Sequence, residues 1–146
     1  MEPLNMLVIA DTHYIGTARH TCLRPQRKCM LALKFLEEVL LCVNKQEIDL
    51  LVILGDLVDN GNAEGAATDL IILVNLLGRA NLPVIFVRGN HDVPKDIFFE
   101  ITHDFGGVHR IKDYNIISFT DTFAGDESAS RNWEQMEEYS VKNNSS

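Results

Sequence analysis

Three short motifs in the chain concentrate side chains that can bind a metal ion: ADTH, GDLVDNG and RGNHD. The candidate residues in these motifs are, in chain order, Asp11, His13, Asp56, Asp59, Asn90, His91 and Asp92. Their donor atoms are carboxylate and amide oxygens and imidazole nitrogens, and none is a thiolate. Such a donor set suits Mn, Fe, Zn or Mg more than a soft metal. The motifs therefore indicate metal chemistry, provided that the fold brings them together.

Each motif follows a short apolar run that is typical of a strand buried on both faces. The three runs are residues 4–10, 48–56 and 82–90, and apolar residues at helical spacing over 27–45 and 63–80 predict helices between them. Strands that alternate with helices predict an α/β fold with a mostly parallel sheet flanked by helices. In such a sheet, functional sites form beyond the carboxyl ends of the strands, so the three motifs should meet at one edge.

The rest of the chain adds smaller elements. Residues 93–107 predict a short third helix ended by two glycines, residues 108–121 predict two strands around a turn, and residues 133–139 predict a further helix. With 146 residues, nearly half of them apolar, the chain is long enough to bury a core. We therefore expect one domain over residues 1–146.

Each motif taken alone has a plain structural explanation. The D-x-x-D pair could form a turn or a helix cap, because DNG is a strong turn signal. Asn90 could occupy a left-handed turn position, and His91 could be an ordinary surface histidine. The occurrence of ligand-type residues after three successive strands favours a common site over three unrelated turns.

The composition excludes some classes of partner. A formal net charge of −8 argues against nonspecific binding to DNA or RNA, which requires a basic surface. We find no signal peptide and no stretch that could span a bilayer, and we expect a cytoplasmic protein without a membrane partner. The three cysteines, Cys22, Cys29 and Cys42, are widely spaced and predict neither a disulfide framework nor a thiolate zinc site. Cys29 and Cys42 are expected to be small buried side chains.

The motifs D-x-H, G-D-x-x-D and G-N-H-D resemble, in order and spacing, those of the calcineurin-like metallophosphoesterase superfamily, and the resemblance covers nearly the whole chain. Members of that superfamily hydrolyse phosphomonoesters or phosphodiesters by a metal-activated hydroxide at a dinuclear site. The resemblance implies a metal-dependent phosphoric ester hydrolase built on the N-terminal half or two-thirds of the family's α/β sandwich.

The resemblance also implies a set of metal ligands. Asp11 and His13 would bind one divalent ion, Asp56 would bridge both ions, and Asn90 would bind the second. The two ions would be Mn, Fe, Zn or Ni. A carboxylate can bridge two cations through its two oxygens, and two ions about 3.5–4 Å apart can hold both the attacking and the leaving oxygen of an in-line displacement.

Three further residues would form the catalytic group implied by the resemblance. His91 would contact the scissile phosphate and assist departure of the leaving group, with Asp59 and Asp92 in supporting roles. His91 next to Asp92 or Asp59 could be held in one tautomer and kept protonated, as a phosphate-facing acid requires.

The chain departs from the family pattern in its later part. The family usually supplies three further histidines from later loops, two of them in a G-H-x-H motif. After His91 this chain has only His103 and His109, which we interpret as structural or surface residues. The chain is therefore expected to be an incomplete domain or a truncated relative. The alternative function is a weak or inactive metal- or phosphate-binding module or scaffold, which needs the missing residues or a partner chain, including a second copy in a homo-oligomer.

Two differences bear on the substrate. Phosphoprotein phosphatases of this superfamily typically read GDxVDRG and RGNHE, whereas this chain has Asn60 in place of that arginine and ends the third motif in aspartate. Loss of a fixed guanidinium removes a bidentate grip on phosphate. The difference favours a phosphodiester or another phosphorylated small molecule as substrate. Arg19, Arg24 and Arg27 could contact that substrate or simply be solvated.

Overall fold

The computed structural model describes most of the 146-residue chain. The described ranges are residues 2–16, 22–24, 26–43, 46–123, 129–131 and 133–143. Residues 2–102 contain β1 (Met6–Ile9), α1 (Ala32–Val43), β2 (Leu50–Leu54), α2 (Ala66–Leu77), β3 (Val84–Val87) and α3 (Lys95–Thr102). The later part contains β4 (Gly107–Ile111), β5 (Tyr114–Ser118), β6 (Thr122–Phe123), β7 (Ala129–Ser130) and α4 (Trp133–Asn143).

The three strands that precede the motifs form one parallel sheet, with β2 between β1 and β3. The register places Ile9 beside Ile53 and Leu54 beside Val87, so the strands end at nearly the same level. Parallel neighbours require a crossover connection, and α1 and α2 provide the two crossovers. The predicted α/β fold with a mostly parallel sheet flanked by helices is confirmed.

The helices bury one face of this sheet because their apolar residues recur at helical spacing. Leu36 and Leu40 of α1 and Leu70 and Leu73 of α2 join Ile53 of β2 in one apolar core. Each of these five side chains is at most 5% exposed. Burial of a leucine side chain contributes about 2 kcal/mol, so this core fixes the strands and, with them, the loops at their ends.

The opposite face of the sheet borders a cavity of about 250 Å³. Val52 and Val87 line it from the sheet, and Ile116 of β5 and Met136 of α4 line it from the other side. Strands β4 and β5 form an antiparallel hairpin, which confirms the two strands predicted for residues 108–121.

Several helix boundaries differ from the predicted ones, and three of the differences have a clear structural reason. Helix α1 begins later because a turn of 3-10 helix, Cys29–Leu31, precedes it. Helix α2 begins later because Gly65, with φ of 89°, lies outside the helical region. Helix α3 ends earlier, before the two glycines, because His103 adopts φ of 55° and stops the helix.

The structure bears on the expected burial of two cysteines and on the apolarity of the helices. Cys29 is buried as expected, but the expectation that Cys42 is buried is wrong, because Cys42 lies on the exposed side of α1. Within the part of the chain that the structure describes, no helix has the length and apolarity needed to cross a membrane.

Candidate metal centre

The loops after β1 and β2 run side by side beyond the end of the sheet. The Asp11 amide donates to the Gly55 carbonyl at 3.2 Å, and the His13 amide donates to the Asp56 carbonyl at 2.8 Å. These main-chain hydrogen bonds continue the parallel pairing of the strands into the first two motifs. They hold Asp11, His13 and Asp56 at one edge of the sheet, as the sequence predicts.

All three of these residues adopt a left-handed backbone conformation. The φ angles are 57° at Asp11, 45° at His13 and 52° at Asp56. Side-chain-bearing residues are uncommon in this region, and each such conformation costs on the order of 1 kcal/mol or more. Among the described residues, the other non-glycine positions with positive φ are His103, which ends α3, and Lys112, which lies in a hairpin turn. Backbone strain is therefore concentrated at three of the four predicted metal ligands.

The side chains of Asp11, His13 and Asp56 converge. One donor atom from each lies within 4.8 Å of the other two. The Nε2 atom of His13 is 3.7 Å from Asp11 Oδ1 and 3.8 Å from Asp56 Oδ2. Ligands that each lie about 2.0–2.2 Å from a divalent ion are separated by roughly 3–3.5 Å. The two distances to His13 Nε2 exceed this range by only a few tenths of an ångström, which is compatible with a divalent ion among the three side chains.

The state of His13 also fits a metal ligand. Its side chain is 9% exposed. Burial, followed by the nearby Arg27 charge, lowers the pKa of His13, although Asp56 opposes the shift. A lowered pKa keeps the imidazole neutral near pH 7, and the neutral imidazole is the form that binds metals.

The third motif reaches the same edge through its main chain. The His91 amide donates to Asp56 Oδ1 at 3.0 Å, and the Gly61 amide donates to the His91 carbonyl at 2.7 Å. Asn90 precedes His91 and is exposed to solvent. Asn90 therefore lies in the loop whose main chain contacts Asp56. Its role as a ligand of a second ion stays a prediction.

Close approach of the second and third loops depends on two glycines. Gly55 has φ of 75°, and a Cβ atom on it would lie 2.6 Å from the Gly89 nitrogen. A Cβ atom on Gly89 would in turn meet the backbone nitrogen and the carboxylate of Asp56. Because neither loop has room for a methyl group at the crossing, glycine at both positions is what permits Asp56 to sit beside the third motif.

Asp59 is fully buried and is held by two donors. Its Oδ1 accepts from Arg27 at 2.7 Å and its Oδ2 accepts from the Leu23 amide at 2.6 Å. Burial on its own raises the pKa of Asp59, but the Leu23 hydrogen bond and Arg27 outweigh it and lower the pKa below its usual value. The same Arg27 nitrogen lies 3.0 Å from His13 Nδ1. Sequence reasoning missed the contact between Arg27 and Asp59, because no local pattern relates residues 32 positions apart.

His91 is oriented by the main chain of Asp59. Its Nδ1 donates to the Asp59 carbonyl oxygen at 2.8 Å, which leaves Nε2 as the atom available to a ligand. The ring stands edge-on to His13, with centroids 4.7 Å apart. Of the two partners that the sequence allowed, Asp92 and Asp59, the structure selects Asp59, through its carbonyl rather than its carboxylate.

The hydrogen bonds of the Asp92 carboxylate come from main-chain amides and not from the His91 ring. Its buried carboxylate accepts from the amides of Leu57, Val58 and Gly89 at 2.7, 3.1 and 2.9 Å. Burial raises the pKa of Asp92 to about 6, and these amides limit the rise. The carboxylate therefore joins the second loop to the third, while its supporting role in catalysis stays a prediction.

The two later histidines lie away from this edge. His109 Nε2 is 2.9 Å from Ser118 Oγ and 3.7 Å from an Asp104 oxygen. His103 is exposed at the end of α3. Both positions agree with the interpretation of these residues as structural or surface histidines.

A cleft of about 470 Å³ opens beside the convergent ligands. Its lining includes Asp11, His13, Arg27, Lys28 and Phe35. Of the arginines considered as substrate contacts, Arg27 directs one nitrogen to Asp59 and His13, as described above. Arg24 is exposed, and Arg19 lies outside the described residues.

Both the sequence and the fold of this chain are similar to those of known proteins. The family model for calcineurin-like phosphoesterases matches residues 4–143. No curated protein sequence matches the chain. A solved structure of a dimetal phosphatase from Danio rerio aligns with a TM-score of 0.52 and 23% identity, and the alignment covers 62% of this chain and 30% of that one. The likeness to that structure concerns the fold, and the chain spans about a third of its length.

Proposed function

The chain belongs to the calcineurin-like phosphoesterase family, and from this premise we propose that it carries the metal-binding part of a metal-dependent phosphoesterase. The observation that carries the proposal is the convergence of Asp11, His13 and Asp56 at one sheet edge, each in a strained backbone conformation. Strain of this kind persists only where the surrounding structure enforces it, and it clusters at functional sites.

The ligand set that we propose follows the geometry of the three loops. Asp11, His13 and Asp56 hold one divalent ion, and Asp56 and Asn90 hold a second. Ions bound there supply Lewis acidity towards a phosphoryl oxygen and lower the pKa of bound water. The carboxylate of Asp56 is suited to bridging, because its Oδ2 faces His13 while its Oδ1 faces the third motif.

His91 is the proposed acid for the leaving group. The Asp59 carbonyl holds the proton of Nδ1, so Nε2 is the nitrogen that can donate a proton to a departing alkoxide. Asp59 is itself fixed by Arg27 and Leu23, and the ring therefore has a defined orientation before substrate binds. Asp92 contributes by holding the backbone of the two loops.

A phosphodiester is the proposed substrate. The cleft of about 470 Å³ beside Asp11 and His13 has room for an organic group on the far side of the phosphorus atom. Lys28 and Phe35 border it and can contact a charged or an aromatic group. The chain also has Asn60 where phosphoprotein phosphatases carry an arginine, which removes one grip on a phosphate monoester.

The test is metal-dependent hydrolysis by the metal-stripped chain. We expect bis(p-nitrophenyl) phosphate to be cleaved faster than p-nitrophenyl phosphate after addition of Mn²⁺, Ni²⁺, Zn²⁺ or Fe²⁺. Asp56→Asn should lower kcat by on the order of 10²-fold, whereas the matched variant Asp113→Asn, in an exposed turn, should retain activity. Full activity in Asp56→Asn would refute the proposed site, and preference for the monoester would refute the substrate class.

A second candidate is a metal- or phosphate-binding module without turnover. It is favoured by the histidines that follow His91, because neither His103 nor His109 joins the convergent ligands among the described residues. Calorimetry separates the two candidates: binding of two ions together with hydrolysis supports the enzyme, and binding of one ion without hydrolysis supports the module.

A second copy could complete the site by pairing at β1 or β3, the outer strands of the sheet, and sedimentation that shows only monomer would exclude this.

A further inference from the structure

A pair of thiols lies next to the candidate metal centre, on the segment between β1 and α1. The Sγ atoms of Cys22 and Cys29 and a carboxylate oxygen of Asp59 all lie within 4.8 Å of one another. The Cys22 thiol donates to the Arg27 carbonyl at 3.4 Å. Cys22 is half-buried and Cys29 is buried. Sequence spacing alone had argued against a disulfide, but the fold brings these two sulfurs together.

We propose that Cys22 and Cys29 are an oxidation-sensitive dithiol that forms a reversible disulfide. The bond would close the ring of residues 22–29. Two members of that ring hold Asp59: Leu23 through its amide and Arg27 through its guanidinium. The disulfide would therefore fasten the segment that fixes Asp59 and, through the Asp59 carbonyl, the His91 ring.

A disulfide fits these residues better than a metal ion does. Both Asp59 oxygens already accept short hydrogen bonds, from Leu23 and from Arg27, and the positive charge of the Arg27 guanidinium repels a cation from this carboxylate. Burial raises the pKa of Cys29 to about 12, with a further contribution from the Cys22 thiol. A protonated thiol is a poor metal ligand and also a slow nucleophile, so the pKa alone does not favour the disulfide. The position of the Cys29 sulfur within 4.8 Å of the Cys22 sulfur does favour it, because a thiol already beside an oxidised sulfur can close the bond.

The oxidation requires a two-electron oxidant such as a peroxide. The more accessible Cys22 sulfur attacks the peroxide, the O–O bond breaks, and a sulfenic acid forms on Cys22 with release of water. The Cys29 sulfur then attacks the Cys22 sulfur, the S–O bond breaks, and the Cys29 proton leaves with the hydroxide as a second water. Two thiols are oxidised and one peroxide is reduced. A dithiol reductant reverses the bond by exchange.

The experiment uses the Cys42→Ser chain, in which the exposed third thiol cannot form intermolecular bonds. After exposure to hydrogen peroxide, we expect free thiols to fall from two to none. Trypsin should then release the peptides HTCLRPQR and CMLALK joined together and lighter by two hydrogen atoms. Dithiothreitol should restore both thiols. Closure of this ring should raise Tm on the order of 5 °C, a readout that does not depend on hydrolytic activity.

Single variants in the same background provide the matched controls. Oxidised glutathione should leave a stable mixed disulfide on Cys22 in Cys29→Ser, but only the internal disulfide when Cys29 is present, because its thiol expels glutathione. The proposal is overturned if both thiols survive peroxide, if the only linked species joins two chains, or if Zn²⁺ protects both thiols while no internal disulfide can be formed.

Discussion

The crossing of the second and third loops allows a sharp prediction for Gly89→Ala. A Cβ atom at position 89 would lie 2.9 Å from Asp56 Cγ, and the Asp56 nitrogen and Oδ1 lie nearer still. Non-bonded carbon atoms are normally about 3.5–4.0 Å apart, so the two loops must separate by roughly 1 Å. The φ angle of Gly89 is not positive, and the expected effect is therefore one of space alone.

The cost of this substitution can be bounded. Overpacking typically destabilises a protein by about 1–3 kcal/mol, and the upper end applies because the obstructing atoms include backbone. We expect Gly89→Ala to lower the free energy of unfolding by about 3 kcal/mol, with a fall in Tm of about 10 °C. Displacement of Asp56 should also weaken Mn²⁺ binding by about 10–100-fold. Urea denaturation and calorimetry measure the two effects.

Gly78→Ala is the matched control. Gly78 follows α2 with φ of −63°, and the nearest atom to an added Cβ would be a carbonyl oxygen at 3.2 Å. Its effect on stability should be within about 1 kcal/mol, with unchanged metal affinity. If Gly89→Ala unfolds at the same urea concentration as Gly78→Ala and binds Mn²⁺ as tightly as the parent chain, the reasoning about the loop crossing is refuted.

Three further predictions concern the residues around the metal ligands. Asp59→Asn should lower the free energy of unfolding by about 2–3 kcal/mol in urea, because it breaks a buried pair with Arg27; a change below about 0.5 kcal/mol would contradict the pairing. In metal-free solution, the folded pKa of Asp92, about 6, lies above its unfolded value of 3.8, so ionisation opposes folding. The stability of the parent chain relative to Asp92→Asn should therefore rise by about 2–3 kcal/mol as the pH falls from 7 to 4, and a flat difference in urea titrations would exclude this. His91→Gln should lower kcat by about 10²–10⁴-fold with Mn²⁺ affinity retained in calorimetry; loss of metal binding instead would assign His91 to the ligand set.

The sequence predicts the fold and the meeting of the motifs because both follow from local patterns. Period and length identify the strands, and parallel pairing then places the carboxyl ends of β1, β2 and β3 together. The partners of Asp59 and Cys22 have no such signal. Arg27 binds Asp59 although the two residues are 32 positions apart in the chain. The position of Arg27 depends on the conformation of the segment before α1, which includes the 3-10 turn Cys29–Leu31. Contacts of this kind follow from the packed fold, and not from spacing in the chain.

The balance of charge at the strand ends is consistent with the proposed cation site. Arg27 neutralises Asp59, and burial makes Asp92 easier to protonate. Asp11 and Asp56 both lie within 4 Å of His13, whose pKa is lowered. Two carboxylates facing a neutral imidazole match the charge of one divalent ion. An anionic phosphate ester would be repelled by this edge until a bound cation reverses the local field, so the residues that we propose as metal ligands would also make substrate binding depend on the metal.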